Sequence, residues 1–163
     1  MPTPQEEHMG DVRVSVTGDF PPATFVDALT DFGPDRARIW GNSSSGQLVV
    51  HDRGDTWADV TEGSKGAGIW QRYRYTWSPD EVRLDVTDSN AFGRGSYWLY
   101  RLSAEAGGER TRIDLHIHRV PTTTKGKLFE PLLRLIGGAY FGRDLRRTVQ
   151  RIERFSAGKD AQP

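Results

Sequence analysis

GKLFEPLLRLIGGAYFGRDLRRTVQRIERF, residues Gly126 to Phe155, is the one long helical pattern in a chain that otherwise reads as short strands and turns. In its second half Leu145, Val149 and Ile152 recur at helical spacing and form one apolar stripe. Arg146, Arg147, Gln150, Arg151 and Arg154 occupy the other faces. In its first half Leu128, Phe129, Leu132, Leu133, Leu135, Ile136, Tyr140 and Phe141 are apolar nearly all round. A helix of that kind is expected to be buried on most sides. The expectation is a plug around which a sheet curls.

Upstream, Asp11–Thr17 alternates with Val12, Val14 and Val16 on one side, which predicts a strand with one buried face. Two short helices are expected next. Pro22–Thr30 turns Phe25, Val26 and Leu29 inward, and Pro34–Trp40 turns Ile39 and Trp40 inward. From Gly46 the pattern changes to segments rich in β-branched and aromatic residues: Gln47–His51, Thr56–Glu62, Ile69–Trp77, Glu81–Thr87, Gly95–Ala104 and Arg110–Val120. Turn clusters such as Ser78-Pro79-Asp80 and Gly107-Gly108 separate them, so an antiparallel meander is expected. Pro121 and a threonine run, from which an N-cap is expected, lead into the long helix.

Alternation assigns the faces. Ile113, Leu115 and Ile117 oppose Arg112, Asp114, His116 and His118; Val82, Leu84 and Val86 oppose Arg83 and Asp85. Gln71, Tyr73, Tyr75 and Trp77 oppose Arg72 and Arg74. In Gly95–Ala104, Trp98, Tyr100 and Leu102 are turned inward, because the other parity buries Arg101. The inward face therefore carries aromatics with polar tips, which need a hydrogen-bond partner or a wet space when buried. A curved sheet and a helix lined this way can enclose a small-molecule pocket.

The whole chain sets limits. Its 163 residues are expected to form one domain over 11–156, flanked by disordered termini at 1–10 and 157–163. Twenty-two basic and 22 acidic residues give zero formal net charge, so composition offers no electrostatic case for nucleic acid or an anionic membrane. The arginines near the end of the last helix read as a solvated face. No cysteine is present, which removes thiol nucleophiles, thiolate metal sites and disulfides. That fits a reducing, cytoplasmic setting. Met1–Gly10 shows no apolar signal-peptide core, and no apolar run is long enough to span a bilayer. Asn42-Ser43-Ser44 reads as a turn.

The element order of one strand, two short helices, a six-strand meander and a long C-terminal helix resembles the START-like (SRPBCC) superfamily. Local phrases agree: Ala28-Leu29-Thr30-Asp31-Phe32 followed by Trp40, and Gly54-Asp55-Thr56-Trp57-Ala58-Asp59-Val60-Thr61-Glu62-Gly63 followed by Ile69-Trp70-Gln71-Arg72-Tyr73-Arg74-Tyr75. Asp85-Val86-Thr87-Asp88-Ser89-Asn90 fits as well, and the likeness covers about residues 11 to 155. It implies an α+β helix-grip fold (START/Bet v 1-like), with a seven-stranded curved antiparallel sheet around the last helix. It also implies a hydrophobic ligand held between them, as in lipid-transport and polyketide cyclase/dehydrase members. The superfamily shares a cavity and no common catalytic motif, so it assigns cavity walls only.

Several constellations stand apart. His116 and His118 share a strand face with Asp114, but that face is the outer one and a single strand cannot surround a metal. Gly63–Gly68 lacks the spacing of a phosphate-binding loop and reads as a hairpin. Gly137-Gly138 predicts either a kink or a close approach to the helix backbone. Asp59 shares a face with Trp57 and Thr61, and turns inward if Trp57 does; His51 is a second acid/base candidate. No nucleophile-elbow motif supports a serine triad. No pattern calls for a metal or cofactor, and the expected partner is a hydrophobic small molecule. Gln71, Tyr73, Tyr75 and Tyr100 are expected to supply its polar contacts, and Trp77, Trp98, Ile136 and Tyr140 its apolar wall. The alternatives are a cyclase or dehydratase using the same pocket, and a partner-binding protein with a filled core.

Overall fold

A computed structural model describes residues 11–40, 48–63, 66 and 68–160. Strand β1 (Asp11–Gly18) is followed by helices α1 (Pro22–Thr30) and α2 (Arg36–Ile39). The meander comprises β2 (Val49–Arg53), β3 (Trp57–Gly63), β4 (Trp70–Ser78), β5 (Glu81–Ser89), β6 (Tyr97–Glu105) and β7 (Arg110–His118). The long helix α3 spans Thr124–Asp160.

The seven strands form one antiparallel sheet in the order β1-β7-β6-β5-β4-β3-β2. Successive hairpins build β2 through β7, and β7 then returns to β1, opposing Val12 to Ile117, Val14 to Leu115 and Val16 to Ile113. Alternation puts Tyr73, Tyr75, Val82, Leu84, Val86, Tyr100, Leu102, Ile113, Leu115 and Ile117 in one buried layer. Phe141, Leu145, Val149 and Ile152 of α3 close that layer, with Phe25, Val26 and Leu29 of α1 filling one end. This is the seven-stranded helix-grip arrangement expected from the order of elements.

The outer face carries charges of both signs on neighbouring strands. Arg72 pairs with Asp59, Arg101 with Glu81, and Arg83 with Asp85. Arg74 lies 3.8 Å above the Trp57 ring and Arg83 4.2 Å above Tyr97, so guanidinium stems cover the outward aromatics.

The start of α3 is tied down locally. Thr123 Oγ1 accepts from the Gly126 amide at 3.1 Å and donates to the Asn90 carbonyl at 2.9 Å, so the N-cap also docks the helix on the β5–β6 connection. A Cβ on Gly126 would fall 1.9 Å from the Ala91 carbonyl oxygen, so only glycine lets the backbones approach this closely. Gly137 meets β1, where a Cβ would lie 3.0 Å from Val12, while nothing lies within 4 Å of a Cβ on Gly138. Of the two readings of the glycine pair, the close approach of the sheet is the one observed, and only at Gly137.

Four expectations need correction. The first half of α3 is not buried all round: Leu128, Leu132, Leu135, Ile136 and Tyr140 are exposed. The sheet covers one side of that half, through Phe129, Leu133 and Gly137, and nothing among the described residues covers the other. The helix also runs through residues 157–160, part of the tail expected to be disordered. On β3 Ala58 and Val60 point inward, so Trp57, Asp59 and Thr61 lie on the outer side. Helix α2 is shorter than Pro34–Trp40, with Trp40 as its C-cap. The N-terminal arm, Asn42-Ser43-Ser44, Gln47 and residues 64, 65 and 67 of the Gly63–Gly68 connection lie outside the described residues.

Candidate functional site

Between sheet and helix a space of about 130 Å³ remains, with walls from α1, α2, β3–β7 and α3. Tyr73 and Tyr75 reach it from β4, and Leu84 and Leu115 from β5 and β7. Trp98 and Tyr100 come from β6, and Phe141, Asp144, Leu145 and Thr148 from α3.

Its polar end is built on Arg36, whose side chain is buried under α1. Arg36 Nε and Nη2 donate to Glu62 Oε1 at 2.9 and 2.5 Å. Nη1 donates to the Leu29 and Asp31 carbonyls at 2.8 and 3.1 Å. Those two carbonyls end α1, so the arginine also satisfies acceptors that a helix end leaves open. Nη2 donates to Tyr75 Oη at 2.8 Å, and that hydroxyl donates to Glu62 Oε1 at 3.0 Å. The Phe32 ring lies 4.9 Å from the guanidinium. Glu62 Oε1 thus takes three hydrogen bonds, while among the described residues nothing donates to its Oε2. Burial pulls the Arg36 pKa down, but Tyr75 and Glu62 outweigh it and hold it above the ordinary value. The arginine stays charged.

Burial pushes Tyr73, Tyr75 and Tyr100 well above the usual phenol range. For Tyr100 the nearby Asp144 carboxylate adds to the rise. These hydroxyls remain neutral donors at physiological pH, so the cavity combines an apolar wall with hydroxyl donors and an ion-paired carboxylate.

Of the residues singled out from the sequence, the structure brings Gln71, Tyr73, Tyr75, Trp98 and Tyr100 together around this space. Trp77 does not line it: near the end of β4, it packs half-buried against the edge of the core. Ile136 and Tyr140 face solvent and form no part of the wall. In place of those two, α3 presents Phe141, Asp144 and Thr148, because its inward stripe turns with the helix. Asp59 is bound by Arg72 on the outer face, at 2.8 and 2.6 Å. His51 bonds Thr61 in an exposed position. His116 and His118 face Asp11 of β1, with His118 Nδ1 2.5 Å from its carboxylate, and Asp114 instead accepts from Ser15 and Arg112. Among the described residues no group of His, Cys, Asp or Glu is arranged to hold a metal.

Sequence reasoning missed Arg36, Glu62 and Asp144. Glu62 had a signal, since it shares parity with Ala58 and Val60. Arg36 had none, because its partner Glu62 lies 26 residues away.

No family model matches the chain, and no curated protein matches it. Solved structures do. A Thermus thermophilus protein superposes with a TM-score of 0.69 at 18% identity, covering 87% of this chain and 96% of that one. The Zhui aromatase/cyclase of a Streptomyces species gives 0.68 at 18% identity, covering 90% and 92%. A START superfamily protein of Mycobacterium smegmatis gives 0.69 at 9% identity, covering 89% and 98%. The chain has the START/Bet v 1-like helix-grip fold. At these identities the likeness speaks for fold.

Proposed function

We propose that the protein binds a small, largely apolar molecule in the space between sheet and α3, with a polar group of the ligand held at the Arg36–Glu62–Tyr75 end. The observation that carries this reading is the buried charge network opening on an otherwise aromatic and aliphatic cavity. A ligand hydroxyl can donate to Glu62 Oε2, and a ligand carbonyl can accept from a tyrosine hydroxyl. Size argues for a compact ligand. A space of about 130 Å³ is comparable to engineered cavities that take a single aromatic ring. It lies below the roughly 300–1,000 Å³ of drug-sized pockets, so a diacyl lipid or polycyclic polyketide would need α3 to move outward.

The test is native mass spectrometry of the purified protein, followed by extraction of whatever it carries and thermal-shift titration with one-ring phenols and ketones. A co-purifying apolar compound, or a melting-temperature gain lost in Glu62→Gln, supports the reading. A clean apo mass with no gain across the panel overturns it.

A second reading has an observation of its own: Glu62 and Asp144 both line the cavity, beside hydroxyls held protonated. Such a pair could move protons in cyclase- or dehydratase-type chemistry, as the similarity to an aromatase/cyclase suggests. Loss of turnover with binding retained in Asp144→Asn would select it.

A further inference from the structure

The first half of α3 carries an apolar face that nothing among the described residues covers. Leu128 and Leu135 are 75% and 83% exposed, and Leu132, Ile136 and Tyr140 are exposed too. At about 100° per residue these five, with Ala139, fall within an arc of roughly 140°, bordered on one side by Leu133 and Gly137, which face the sheet. Five of the large hydrophobic side chains that reach solvent among the described residues thus sit on one half-helix. Scattered surface leucines would mean nothing, but a contiguous ridge of them marks a contact surface.

The charges around the ridge are one-sided. Every exposed charged residue between Thr124 and Gln150 is a cation: Lys127, Arg134, Arg143, Arg146 and Arg147. The two acids in that span, Glu130 and Asp144, are half-buried and turned toward the protein. None of the five cations makes a salt bridge among the described residues. Arg143, Arg146 and Arg147 fall within the ridge's own arc and continue its line along the helix, while Lys127 and Arg134 lie toward the opposite side. The asymmetry stands in a chain whose formal net charge is zero.

We infer that this face of α3 docks the protein laterally on an anionic bilayer surface. A face of leucines continued by arginines on the same line suits a helix lying in the headgroup region. The cations would gain from anionic lipid, and Tyr140 suits the interface. No helix among the described residues is long and apolar enough to cross a membrane, so this helix would lie along the surface. A second copy docked face to face would place like charges together. The inference does not depend on what the cavity holds.

The test is co-sedimentation of the full chain with phosphatidylcholine vesicles, with and without phosphatidylglycerol, at low and high salt. The expected result is sedimentation with the anionic vesicles that weakens with salt. Leu132→Glu/Leu135→Glu should lower partitioning by tenfold or more, and each of Arg143→Glu and Arg147→Glu by about fivefold or more. All these side chains are exposed, so melting temperatures should match wild type; circular dichroism checks that the fold is retained. No wild-type sedimentation at low salt overturns the inference. So does equal sedimentation of the leucine double variant, or a wild-type dimer that this variant dissolves.

Discussion

Replacing Arg36 with methionine probes both the stability of the fold and the polar end of the cavity. The guanidinium is 4% exposed and donates five hydrogen bonds, to Glu62, Leu29, Asp31 and Tyr75. Met keeps much of the volume and removes the charge. Breaking a buried ion pair from one side costs about 3–5 kcal/mol, because the remaining charge is stranded. Water reaches Glu62, whose side chain is 17% exposed, so the lower end applies, about 3 kcal/mol. The stranded Leu29 carbonyl adds about 1 kcal/mol. The expected loss is therefore about 4 kcal/mol, or roughly 10 °C in melting temperature for a chain of this length. Urea unfolding followed by circular dichroism measures it. The double variant Arg36→Met/Glu62→Met removes both charges, and should fall short of the sum of the single losses by at least about 2 kcal/mol. A single-variant loss below about 1 kcal/mol, or additivity within about 0.5 kcal/mol, would refute the account of a tightly coupled buried network.

Other outcomes follow from particular contacts. Gly126→Ala should destabilise despite alanine's higher helix propensity, since its Cβ meets the Ala91 carbonyl, whereas Gly138→Ala, facing open space, should stabilise by about 0.5–1 kcal/mol; thermal melts of both check the contrast. Arg119 is 5% exposed, stacks near Phe92 and Phe141, and leaves Nε buried without a partner. Burial pulls its pKa down against the pull of Glu130. Arg119→Met should therefore cost no more than about 1 kcal/mol, and a loss above about 3 kcal/mol would reveal an anion bound there. The hydrogen bond from Arg72 holds Asp59 below the usual carboxylate range, against a smaller opposing effect of burial. A depressed folded-state pKa contributes stability that is full above the unfolded value, about 3.9, and lost as pH falls through the folded one. Asp59→Asn should flatten the acid limb of the stability profile, and parallel limbs would count against the pair.

Much of the fold was legible in the chain because strand faces are a local property. A period of two along Glu81–Thr87 or Arg110–Val120 names its buried side without knowledge of the neighbours. The stripe Leu145, Val149 and Ile152 was legible for the same reason at helical spacing; Tyr75 was placed by parity, and Tyr100 by parity together with the cost of burying Arg101. Where parity was ambiguous, as for Trp57 and Asp59, the choice depended on Ala58 and Val60 packing across the sheet. Only the tertiary structure could decide that the first half of α3 has sheet on one side only. Apolar composition records a tendency to leave water, and cannot record whether the protein itself supplies the cover. Ile136 and Tyr140 passed from cavity wall to surface for that reason. The Arg36–Glu62–Tyr75 network was equally invisible, since a buried charge is tolerable only where distant segments meet to complete its hydrogen bonds, and that meeting is a property of the folded chain.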